Sequence, residues 1–369
     1  MEVASAAARA MWQDTQQKLP LDDRRYFAGM SGGARVAVSL ALSCKNCVAG
    51  VIANAAGFPL EAGPSREMNF AYFVAAGNAD LNYTEIMQLR GKLDEAGARY
   101  HVRIFEGNHG WAPSEVWLAA LNWMDIQAMA AGALPRDQAR IDRTVDDEMG
   151  KAHALETKKD MLGALREYQS VTRNFHGLAD VSAAKERLAA LEKDKAVKAG
   201  EKREKSDMAE QARLTSEFSA SMKAIASGDL SLVELTELKG KIADMKRKAA
   251  GPSEGADHHT MVLRRALSEL IVWAYESGQS RLEGKDSQRA LLYFDLAATG
   301  SQNPAWAHFQ RARTYAMASN KKNMLAELGL CSEQGFHDVS ALDATEFDAY
   351  RGQAEFQAVV TEWKKQAQP

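Results

Sequence analysis

The apolar run Val48–Ala55 is the feature that most narrows the folds open to this chain. It follows neither a strand's two-residue alternation nor a helical stripe, so it reads as a strand buried on both faces, as in parallel sheets covered by helices. Phe70–Ala76 repeats that character, Tyr100–Phe105 alternates as a strand, and Arg25–Gly29 is a short strand ending in glycine. Helical patterns lie between and around them: Ala4–Lys18, closed by Pro20 and the turn Asp22-Asp23; the small-residue segment Gly32–Cys44; Tyr83–Ala96 with Gly97 as its C-cap; and the Trp-rich Ser114–Met129 behind Pro113. Four strands separated by helices predict a parallel sheet, whose ligand sites lie at the carboxyl ends of its strands.

Those ends carry the chemistry. Gly29-Met30-Ser31-Gly32-Gly33 fits the Gly-x-Ser-x-Gly nucleophile elbow, with a strand before it and a helix after it. The glycines leave room for a strained turn, and the Gly32 N–H at the helix start points at a developing oxyanion. Asp80 follows the third strand and His109 the fourth. A hydroxyl needs a base to take its proton, and an imidazole serves best when a carboxylate fixes its tautomer. The order Ser31, Asp80, His109 suits that relay.

The segment Arg25–Ala37, the Gly57-Phe58-Pro59 turn and Glu106-Gly107-x-His109-Gly110-Trp111 resemble bacterial α/β-hydrolases of the polyhydroxybutyrate-depolymerase and dienelactone-hydrolase-like esterase group. The resemblance covers about a third of the chain. It implies Ser31 as nucleophile, His109 as general base and acid, and Asp80 as the residue orienting it. The same group places about four strands before the nucleophile strand and takes a second oxyanion donor from a loop there, whereas about 25 residues precede Phe27. The expectation is a hydrolase domain incomplete at its amino end, either truncated or a remnant, with a bare edge on the nucleophile strand.

Simpler readings stand beside these. Ser31 can be an ordinary turn serine, and Asp80 can cap the Tyr83 helix. His101 lies within a strand pattern and is expected to be structural. Cys44-Lys45-Asn46-Cys47 has the spacing of redox and zinc sites, but without a second ligand pair two helix-end thiols are expected, and no metal or cofactor. Trp111, Trp117 and Trp123 are expected to pack in the core rather than rim a pocket.

Beyond Ala133 the strand signals stop. Asp147–Leu191 reads as helix, turn, helix, Lys193–Lys205 as a solvated mixed-charge helical face or linker, Ser231–Lys248 as an amphipathic helix, and 251–255 as a break. Lys159-Asp160-x-x-Gly163-Ala164-Leu165-x-x-Tyr168 and the segment Ala266–Ala318 resemble tetratricopeptide helices, which implies stacked hairpins able to bind a protein partner. His258-His259 is expected in a solvated loop. The fold expected is α/β followed by all-α: a partial hydrolase sheet of about four strands in 1–132, a helical region in 133–250 and a tetratricopeptide-like domain in 251–369.

A net charge of −3 gives no basic field for nucleic acid, and no run approaches the ~18 apolar residues of a membrane span. No secretory signal opens the chain as given, so a cytoplasmic location is expected as it stands, or export if a signal has been lost. The expected function is serine hydrolysis of a small-molecule or peptide ester, thioester or amide. The alternative is an inactive hydrolase remnant serving a helical protein-interaction module.

Overall fold

A computed structural model describes residues 2–22, 24–44, 46–252 and 255–367. Asp23, Lys45, Ser253 and Glu254, within the expected turn, the Cys-x-x-Cys segment and the expected break, lie outside the described residues. The described chain forms two compact units, Met1–Ala209 and Glu210–Pro369.

The first unit opens with helix α1 (Glu2–Lys18). It then alternates β1 (Tyr26–Met30), α2 (Gly32–Ser43), β2 (Gly50–Asn54), β3 (Ala71–Gly77), α3 (Tyr83–Glu95), β4 (Tyr100–Phe105) and α4 (Ser114–Ala130). The four strands pair in sequence order, all parallel. Every residue of β2 and β3 is buried, as their unpatterned apolar runs require. Side chains alternate between two cores. Val51, Tyr72, Val74, Tyr100 and Val102 pack with α2 and α3 on one face. Ile52, Phe73 and Ala75 pack with Val116, Trp123 and Met124 of α4 on the other. The register sets Met30 beside Asn54, Asn54 beside Ala75, and Gly77 beside Phe105, so the carboxyl ends of the strands line up along one side.

Three helices follow in the same unit: α5 (Gln138–Thr157), α6 (Met161–Asn174) and α7 (Ser182–Leu191). The expected helix-turn-helix over 147–191 is thus three helices, and α5 starts earlier because Asp137 caps it, accepting from the Arg140 N–H at 2.9 Å. These helices group with the sheet rather than standing apart from 133 on. Arg103 of β4 donates to both carboxylate oxygens of Glu148 in α5 at 2.8 Å. The guanidinium of Arg173 in α6 lies 3.8 Å from the centre of the Tyr100 ring.

Most of the charged stretch 193–205 falls within one long helix, α8 (Lys195–Ser227), whose residues from 210 onward group with the second unit. That unit continues with α9 (Leu232–Lys248), opened by a capping box between Ser231 and Glu234. It goes on through α10 (His258–Glu283), α11 (Ser287–Gly300), α12 (Ala305–Met317) and α13 (Lys321–Glu333), and closes with two 3-10 turns and α14 (Ala354–Gln366). Asp257, Asp286 and Asn320 cap α10, α11 and α13 through their side chains. Because Asp257 starts α10, His258 and His259 form its exposed first turn and not a loop. Close helix crossings depend on small residues here: a Cβ on Gly278 would stand 2.6 Å from the Phe294 ring. Among the described residues, no helix is long and apolar enough to cross a membrane.

Candidate active site

Ser31 occupies the turn between β1 and α2 with φ 53° and ψ −122°, a backbone region that costs a non-glycine residue on the order of 1–3 kcal/mol. Three hydrogen bonds hold it there. Its N–H donates to the Asn54 carbonyl at 2.8 Å, and its own carbonyl accepts from Ala34 and Arg35 at 3.0 and 3.2 Å. Gly29 makes the turn possible, since a Cβ there would stand 2.3 Å from the Gly33 carbonyl carbon. Gly32 and Gly33 have open space at the same position, so only the first glycine of the elbow is sterically required.

The three residues singled out at separate strand ends meet. Ser31 Oγ lies 3.0 Å from His109 Nε2, and His109 Nδ1 lies 3.1 Å from both carboxylate oxygens of Asp80. Asp80 is wholly buried. A carboxylate only accepts, so the proton between Asp80 and the imidazole belongs on Nδ1, leaving Nε2 to accept the Ser31 hydroxyl. Asp80 also accepts from the Asn82 N–H at 2.7 Å. It therefore caps the turn into α3 as well as meeting His109, and the two roles share one oxygen. Gly32, as the first residue of α2, has no preceding helical carbonyl for its N–H, which leaves that amide available beside the serine.

Sequence reasoning missed the residues that hold these loops. Asn54 is buried to 1% exposure at the end of β2. Its side-chain amide donates to the Gly110 carbonyl at 2.6 Å and its side-chain oxygen accepts from the Ala112 N–H at 3.0 Å. One asparagine thus holds the Ser31 backbone through its carbonyl and the His109 loop through its side chain. Asn82 donates to the Ala55 carbonyl at 2.7 Å, and Asn78 accepts from the Gly107 N–H at 3.2 Å. Arg35 of α2 forms a two-pronged pair with Glu85 of α3 and also donates to the Phe58 carbonyl, fixing the Gly57-Phe58-Pro59 turn. The signal for Asn54 was available: it is the one strongly polar residue in the apolar run 48–55.

The remaining residues of interest fall elsewhere. His101 is buried, stacked on Phe73 at 5.0 Å, and within hydrogen-bond distance of Arg103 and Ser170. Burial and the adjacent Arg103 push its pKa well below the usual histidine range, so it stays neutral in the core. Burial acts to raise the Glu148 carboxyl, but the Arg103 guanidinium and the Lys151 ammonium bonded to it override that and hold it at about 2. Cys44 and Cys47, expected as separate thiols, are joined as a disulfide, their Cα atoms 5.6 Å apart where α2 gives way to the turn before β2. Trp123 is buried as expected. Trp111 is 62% exposed, because its neighbours Gly110 and Ala112 are pinned by Asn54 with the indole turned outward. Among the described residues no cluster of three or more His, Cys, Asp or Glu could hold a metal ion.

Comparison of the chain with protein-family models, curated proteins and solved structures finds no match.

Proposed function

We propose that the first unit is a serine hydrolase of the α/β-hydrolase type acting on an ester, thioester or amide. The observation that carries the reading is the unbroken line Asp80–His109–Ser31, with the serine on a strained strand-to-helix turn. Ser31 Oγ attacks the acyl carbon while its proton passes to His109 Nε2, and Asp80 stabilises the imidazolium that forms. The Gly32 N–H donates to the oxyanion. Collapse expels the alkoxide, thiolate or amine, which takes its proton from His109. Water then gives a proton to His109 as it attacks the acyl-Ser31 carbonyl, and collapse breaks the acyl–Oγ bond, with Ser31 Oγ taking that proton back from His109 as the acid leaves.

One observation favours a second reading. Among the described residues β1, whose end leads into Ser31, is an outer strand paired with β2 alone, as an inactive remnant attached to helical hairpins would leave it. Labelling with a fluorophosphonate decides between the two: serine oxygen displaces fluoride at phosphorus, with the serine proton taken by His109. Labelling that disappears in Ser31→Ala supports the hydrolase. A folded wild-type protein that does not label sinks it.

A further inference from the structure

Asn54 ties the serine loop to the histidine loop. A second tie joins the serine side to the acid side. α2 and α3 pack on the same face of the sheet, and each starts just after a member of the triad. Arg35 lies in the first turn of α2, after Ser31, and Glu85 in the first turn of α3, after Asp80. Arg35 Nη1 and Nη2 donate to Glu85 Oε1 and Oε2 at 2.8 and 2.6 Å. Each partner is also bonded back toward its own loop. The Arg35 N–H donates to the Ser31 carbonyl at 3.2 Å, and the Asp80 carbonyl accepts from the Tyr83 N–H that opens α3 at 3.0 Å. Between the two helices stands the turn after β2. Its Gly57 N–H donates to Glu85 Oε1 at 3.1 Å, and its Phe58 carbonyl accepts from Arg35. A Cβ at Gly57 would stand 2.6 Å from Glu85 Oε1, so the turn closes directly onto the pair. Ala55, which leads into that turn, holds φ 58°, a second strained non-glycine residue beside the site. A partly exposed ion pair adds little to stability; a planar fork with these added bonds supplies geometry.

We infer that Arg35 and Glu85 are positioning residues, which hold the Ser31 elbow and the Asp80 turn at the spacing that lets His109 bridge them. This rests on Ser31 being the nucleophile. The test measures, on the full chain, the saturating rate of fluorophosphonate labelling and the probe concentration that gives half of it. Each variant is assayed at a temperature where circular dichroism shows it folded. Arg35→Ala is expected to lower the saturating rate about 10²-fold, as a misplacement of ~1 Å does, and to leave the half-saturating concentration unchanged. In Arg35→Lys one nitrogen replaces the fork and cannot serve both Glu85 oxygens and the Phe58 carbonyl, so the rate falls roughly tenfold. Gly57→Ala presses on Glu85 from the turn and lowers the rate in the same way. These two variants carry the test if Arg35→Ala does not fold. The control is Arg140→Ala, which removes bonds of 2.7 and 2.8 Å to Asn122 and Asp125 of α4, the helix on the other face of the sheet. It lowers stability and leaves the rate as it is. Wild-type rates in folded Arg35→Lys and Gly57→Ala overturn the brace while the Ser31 reading stands. An equal loss in Arg140→Ala also overturns it, since any broken contact would then do the same. A change in the half-saturating concentration alone makes the pair part of the probe-binding surface and overturns it too. Wild-type protein that does not label at any concentration overturns both readings.

Discussion

Gly29 in the first unit and Gly278 in the second solve the same steric problem for different ends. A Cβ on Gly29 would strike the Gly33 backbone, and a Cβ on Gly278 would strike the Phe294 ring. In the second unit the vacated space lets an aromatic side chain seat against a helix whose other inward residues, Ala266, Leu270 and Ala274 among them, are fully buried. In the first unit the vacated space lets α2 start immediately after β1, which drives Ser31 to φ 53°. Its neighbours, Asn54, Asn78 and Asn82, are polar residues spent on loops rather than on elements. The helical unit uses its small residues for packing density; the sheet unit uses one to store strain beside a buried carboxylate. Strain held in place by surrounding structure marks functional sites more often than packing does.

Activity is where the comparison breaks most easily. Asp80→Asn should lower acyl-enzyme formation by about 10³–10⁴, since the wrong imidazole tautomer would face Ser31. The change in unfolding free energy should be far smaller, and stopped-flow labelling beside urea denaturation separates the two. If both fall together, Asp80 is only a cap.

Next in size is the matched pair of glycine substitutions. Gly29→Ala meets backbone and should destabilise the first unit by about 3 kcal/mol, with Ser31 labelling abolished. Gly278→Ala meets a ring that can shift, and should cost the second unit about 1–2 kcal/mol with no effect on labelling. Gly33→Ala, with open space around it, serves as the neutral control. Equal costs at 29 and 278 would show the elbow to be as compliant as a helix crossing.

Asn54→Ala comes third. It leaves the Gly110 carbonyl and the Ala112 N–H without their partner, at a cost of about 1–3 kcal/mol. Labelling should slow by more than that cost implies, because both the serine and histidine loops depend on this residue. Asn54→Asp, able to accept from Ala112 but not to donate to Gly110, should fall between.

The smallest effect is a pH dependence of opposite sign in the two units. Glu148 is held at about 2, below the usual 4.5, so its contribution to the first unit is present above pH 4.5 and is lost as pH falls toward 2. Burial raises Glu269 in α10 to about 7, so the second unit loses stability as pH rises from 4.5 to 7. Glu269→Gln should therefore stabilise at pH 8 and change little at pH 4, and Glu148→Gln should destabilise at pH 7 and change little at pH 2. Thermal unfolding across pH 2–8 reads both, and parallel trends would contradict the assignment.

Element positions were legible in the chain because the relevant signals are local. Unpatterned apolar runs gave β2 and β3, and apolar periodicity placed the helices around them, whereas the Asp137 and Asp257 caps that start α5 and α10 were passed over. The three candidate site residues were legible for the same reason, since each follows a strand and Gly-x-Ser-x-Gly is contiguous. Longer-range matters were not. That 133–209 belongs with the sheet depends on Arg103 reaching Glu148 and Arg173 lying over Tyr100, pairs far apart in sequence with no mark at either end. Trp123 and Trp111 look alike in the sequence, yet one is core and the other surface, because helix phase and the Asn54 clamp decide which way an indole turns. Local propensity and burial pattern are written residue by residue. Distances of 3.0–3.1 Å between groups on three different loops exist only once the sheet register has brought the strand ends side by side.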